Sequence, residues 1–152
     1  MPVRHIFLPW FLALLAWVLP VAASELTLEQ VQRVFPGAES ITPLNGKAPA
    51  YMVRDRKGQL GYALSTLELA PISAYSGRPI SAVVGIDEEG LIRGVDILQH
   101  EEPILVIGVS DRDLHQFIDQ FEGKKSTDRI RVGAHERPGY VGIDGISGAT
   151  IT

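Results

Sequence analysis

Leu28, Val31, Val34 and Phe35 recur at roughly helical spacing in SELTLEQVQRVFPG, and Thr27 and Gln30 stand at the spacing of a capping box. Pro36-Gly37 closes the run, which predicts a short amphipathic helix of about nine residues. Further on the period changes. AYMVRDRKGQLGYALST reads as two extended runs around Asp55–Gly58, a hairpin with a four-residue connection. ISAVVGIDEEGLIRGVDILQH repeats that plan, with β-branched residues through Ile80–Ile86 and a turn at Asp87–Gly90. Gly85 and Gly94 fall inside these runs, where glycine marks a bulge or a close backbone approach. SDRDLHQFIDQFEG carries the clearest helix. Ser110 is its N-cap, Leu114, Phe117, Ile118 and Phe121 lie at i, i+3, i+4 and i+7, and Gly123 ends it.

The segments between are less regular. ITPLNGKAPA and ELAPISAYSGRP read as loops, and EEPILVIGV as an apolar connection broken by proline. KKSTDRIRV offers one short strand, and GAHERPGYVGIDGISGATIT returns to turns. The order of elements predicts an α+β fold, an antiparallel sheet of hairpins with two flanking helices.

The N-terminus changes the picture of where such a domain works. MPVRH is followed by sixteen residues without charge, IFLPWFLALLAWVLPV, and then by small residues. Residues 1–23 therefore read as a signal peptide, with a retained membrane anchor as the alternative. Either exports residues 24–152, which are of a size for one domain. The chain carries a formal charge of −4, and one of its 14 Lys and Arg residues lies in the leader. What remains is more acidic still, the opposite of a nucleic-acid-binding surface. With no cysteine, disulfides and iron–sulfur ligation are excluded, so the exported domain depends on its core.

Candidate chemistry is sparse. His100, Glu101 and Glu102 form a cluster, but neighbours at a strand end point to opposite faces, so a metal site is not expected there. His115 and His135 have no partner at ligand spacing, and no hydrolase, P-loop or dinucleotide-binding motif is present. In AYSGRPI, a turn with Tyr75, Ser76 and Arg78 could meet an anion and a planar ring, or be a plain turn before a strand. At the end, DGISGAT sets Asp144 six residues before Thr150, among small residues that leave one hydroxyl open to approach. By residue chemistry alone this is a modification or phosphate site, or a turn-rich terminus.

DGISGAT resembles the flavinylation motif D-x-x-[S/T]-G-A-T of the FMN-binding domain family, which includes peripheral subunits of the sodium-pumping NADH:quinone reductase. Asp144, Ser147, Gly148, Ala149 and Thr150 match it. AYSGRPISAVVGIDEEGLIRGVDILQHEEP is similar to the family's central segment, and ILQHEEPILVIGVSDRDLHQFI to its NosR/NirI branch, associated with nitrous oxide reduction. The turn begins with Ala74 where the family usually has glycine. The chain stops two residues past Thr150 where members continue, which makes a piece of a longer frame the expectation.

The resemblance implies FMN bound through a phosphoester on Thr150, installed from FAD by a separate flavin transferase. It also implies a flavin pocket lined by Tyr75, Ser76 and Arg78, and membrane-bound electron-transfer or maturation partners of nitrous oxide reductase. The implied role is a periplasmic electron carrier rather than a self-contained enzyme. A sensory module controlling denitrification genes and a cofactor-free exported interaction domain are the alternatives.

Overall fold

The computed structural model describes residues 26–46, 48–135 and 137–146, leaving out the side chain of residue 104. The leader lies outside them. Five strands form one antiparallel sheet in which each pairs with the one before it: β1 (Ser40–Leu44), β2 (Ala50–Arg54), β3 (Gln59–Ser65), β4 (Ser81–Ile86) and β5 (Ile92–Gln99). Four short helices accompany the sheet among the described residues: α1 (Leu28–Gln32), α2 (Thr66–Leu69), α3 (Pro103–Ile107) and α4 (Asp111–Asp119). A separate parallel pair, β6 (Ile130–Val132) and β7 (Val141–Ile143), follows α4. This is the expected α+β fold and its two hairpins, with two helices beyond the two predicted. None of the described helices is long and apolar enough to cross a membrane.

The core lies between the sheet and the chain from Leu26 to Ala38. Val31, Val53 and Val83 are fully buried, each worth about 1.5–3 kcal/mol of apolar burial. Tyr51 pairs with Ala63, Ala63 with Gly85, and Gly85 with Gly94, so one row of residues crosses β2 to β5. That row shrinks from tyrosine to glycine for a packing reason. A Cβ on Gly85 would lie 2.9 Å from the Phe35 ring, and one on Gly94 would lie 3.3 Å from Val34 Cα. The two glycines make a bare patch that receives the chain just after α1.

Three departures from the sequence reading have local causes. The capping box is present, with Gln30 N–H donating to Thr27 Oγ1 at 3.3 Å and Thr27 N–H to Gln30 Oε1 at 2.9 Å. Yet α1 spans five residues, because Pro36 disfavours helical backbone at Phe35 and the chain turns from Arg33. Val34 and Phe35 keep their apolar spacing inside that turn. Second, ITPL, the start of the predicted loop, is most of β1. Pro43 is tolerated because β1 is an edge strand. Third, the proline of EEPILVIGV opens α3, where a missing N–H costs nothing. α4 is capped by Ser110 as expected, the Oγ accepting from Asp113 N–H at 3.2 Å, but it ends at Asp119, and Phe121 lies in the turn that Gly123 completes.

Candidate functional site

The predicted site residues that the structure describes fall in two places. The first is the turn before β4. Ser73 and Pro79 bridge its ends, Ala74 N–H donates to Arg78 O at 3.0 Å, and Gly77 sits at φ 80°, a conformation suited to glycine. Thr66 at the start of α2 anchors the exit, donating from Oγ1 to Ile80 O and accepting from Ala82 N–H at 2.9 Å. Tyr75 at the tip is 72% exposed.

The turn's polar groups are engaged from behind by the segment after β5. Ser76 N–H donates to Glu102 Oε1 at 3.1 Å, and Arg78 Nη1 pairs with Glu101 Oε1 at 2.5 Å. Both contacts turn the expected anion-binding concavity toward the chain's own carboxylates. Glu102 is fully buried. The Ser76 hydroxyl holds its carboxyl below the usual carboxylate range; burial opposes this, and the Ser76 and Tyr75 N–H groups and the nearby His100 reinforce it. Its Oε2, and the Nδ1 of His100, are buried without a hydrogen-bond partner. Sequence reading placed His100 and the two glutamates together but did not connect them to Tyr75, Ser76 and Arg78, from which they are separated by the β4–β5 hairpin.

The second place is the end of β7. Gly142 packs so closely on His135 that a Cβ would lie 2.5 Å from His135 N. His135 Nε2 lies 3.1 Å from Asp144 Oδ1, so the histidine does have a partner, one supplied by the fold rather than by local spacing. Gln120, the C-cap of α4, accepts from Asp144 N–H at 2.7 Å and donates from Nε2 to Asp144 O at 3.1 Å. A cleft of about 530 Å³ runs alongside, lined by Asp113, Gln116, Phe117 and Gln120 on one side and by 144–146 on the other. Ser147, Gly148, Ala149 and Thr150 lie outside the described residues. Among the described residues no group of three or more His, Asp or Glu is arranged to hold a metal ion.

A family model described as FMN-binding domain matches residues 75–152, from the tip of the first turn through the DGISGAT motif. The chain is 38% identical over 129 residues to the Regulatory protein NosR of Pseudomonas aeruginosa, an alignment covering 85% of this chain and 18% of that protein. It is 33% identical over 132 residues to the Regulatory protein NosR of Stutzerimonas stutzeri, covering 86% of this chain and 18% of the relative. To Protein NirI of Paracoccus denitrificans it is 29% identical over 141 residues, covering 93% and 20%. The chain thus spans about a fifth of the length of these relatives. Because the matched stretch holds the turn, the second hairpin and the terminal motif together, the chain belongs to the FMN-binding domain family.

Proposed function

We propose that this domain is an exported electron carrier that holds FMN covalently on Thr150, within a NosR-like membrane protein that supports nitrous oxide reduction. The observation that carries the reading is the family match running from the Tyr75 turn into an intact D-x-x-S-G-A-T motif. The described residues fit the group. The turn presents an aromatic face in solvent, with two unpartnered buried polar atoms behind it, and a planar ring with polar edges needs both.

FMN bound here would supply one- and two-electron chemistry, and the chain would supply position and electrostatics. Tyr75 would offer a ring face for stacking. Ser76 and Arg78 would shape the pocket, held in place by Glu102 and Glu101. Gly148 and Ala149 would let the phosphate approach the Thr150 oxygen. Attachment would be performed by a flavin transferase acting on FAD: the threonine hydroxyl would give up its proton and its oxygen bond to the FMN phosphorus as the pyrophosphate bond breaks, and AMP would leave with the proton. Redox partners would be membrane-bound components that sustain nitrous oxide reductase.

The test is intact mass after export in a host with a flavin transferase. A gain of about 440 Da, one FMN less water, that disappears in Thr150→Val is the expected result. Covalent flavin surviving in Thr150→Val would place the tether elsewhere.

The naming of two relatives as regulatory proteins favours a second reading, a module that controls denitrification genes. The two readings part on one comparison. A Thr150→Val strain that transcribes the reductase genes normally but fails to reduce nitrous oxide supports electron transfer, whereas lost transcription supports control.

A further inference from the structure

Asp144 is the first residue of the attachment motif. Both backbone groups of Asp144 are bonded to the side-chain amide of Gln120, at 2.7 and 3.1 Å. A glutamine amide presents one acceptor and a donor side by side, as a neighbouring strand does. Gln120 therefore extends the anchoring of β7 by one residue, past the Gly133 N–H bond to Ile143 O at 2.9 Å. A residue held at both its N–H and its C=O has the two flanking peptide units, and so its direction of exit, fixed. His135 holds the same residue by its carboxylate at 3.1 Å, and reaches it because Gly142 has no Cβ in the way.

The exit direction matters because reach is short. Thr150 is six residues on, at most about 20 Å of extended chain. The loop after α4 is bonded to the start of β5 through Gly123 N–H to Ile92 O and Ile92 N–H to Lys124 O, both 2.8 Å. The Tyr75 turn is bonded to the segment that follows the other end of that strand. An eight-residue strand spans about 25 Å, so a tether aimed wrongly cannot bring its load near the turn.

A cleft lies beside Asp144 and the two residues after it. Its wall residues Asp113, Gln116, Phe117 and Gln120 recur at helical spacing on one face of α4 and its cap.

We propose that Gln120 and His135 are positioning residues for flavin attachment, clamping the root of the segment that leads to Thr150 and aiming it along the Asp113–Gln120 face. Neither belongs to the attachment motif. The proposal rests on the reading of Thr150 as the attachment point. The experiment measures the attachment rate by intact mass, and Asp144 amide exchange by NMR, in the chain carrying Gln120→Leu, Gln120→Glu or His135→Leu.

Gln120→Leu, which removes both bonds, is expected to slow attachment roughly tenfold or more, with thermal unfolding little changed and the Asp144 amide exchanging faster. His135→Leu is expected to slow attachment less. Gln120→Glu keeps the acceptor for Asp144 N–H and loses the donor, so it falls between Gln120→Leu and the parent, and it decides the matter if Gln120→Leu unfolds. Attachment at the parent rate in a folded Gln120 variant overturns the clamp. Should Thr150→Val retain covalent flavin, the attachment reading falls instead. The clamp is then judged by exchange alone, and an unchanged Asp144 amide in Gln120→Leu overturns it.

Discussion

Glu102 shows how one buried residue can order a turn from behind. It is fully buried, its Oε1 accepts the Ser76 N–H, and its carboxyl is held below the usual range by the Ser76 hydroxyl first of all. A carboxyl depressed by folding contributes stability that is present above its unfolded value, about pH 4.3, and lost as pH falls through the depressed folded value. Stability should therefore drop on the acid side of that window, and Glu102→Gln should flatten the drop. Urea titrations at a series of pH values check this. An equally steep acid limb in Glu102→Gln would assign the loss to other carboxylates. The Ser76 bond links this loss to the turn, so Tyr75 should become mobile over the same pH interval, visible as broadening of its ring resonances.

The elements fit because the residues at their crossing have been reduced to hydrogen. Gly85 and Gly94 are direct partners in β4 and β5, and the Val34–Phe35 turn sits on them. Gly85→Val should destabilise the domain by about 1–3 kcal/mol, read as a lower urea midpoint, since neither the ring nor the strand has room to yield. Much of this level was legible in the chain. The hairpins announced themselves by turn residues between extended runs, the second of them rich in β-branched residues, α4 by its cap and apolar period, and the two glycines by sitting inside strands.

What was not legible had physical reasons. β7 has three residues, too few for a period, and β1 hides a proline that only an edge position excuses. The terminal motif was readable because its chemistry is local. Its supports were not, since Gln120 meets Asp144 across 24 residues and Ser76 meets Glu102 across 26. Only the fold makes those pairs.

Across the whole molecule, the Tyr75 turn is bonded to the segment after one end of β5, and the loop that follows Gln120, the partner of Asp144, to the other end. If the turn and the attachment segment serve one flavin, loading should join them. Hydrogen exchange through 74–79 should slow on flavin attachment, while β1 and β2, remote from both, keep their rates; mass spectrometry of the loaded and Thr150→Val proteins gives the comparison. Unchanged exchange through 74–79 would remove Tyr75, Ser76 and Arg78 from the pocket.

The sheet order also dictates a sequence of events. Within the five-stranded sheet each strand pairs with its immediate predecessor, the longest connection being 66–80 between β3 and β4, so no pairing waits on a distant part of the chain. A chain emerging N-terminus first can build β1 to β5 strand by strand before the Asp144 segment arrives. Gln120 and His135 both precede Asp144 and are in place to receive it. Assembly in that order would make the folded sheet a checkpoint: if Thr150 is the attachment point, the Asp144 clamp closes only on chains whose sheet is already built.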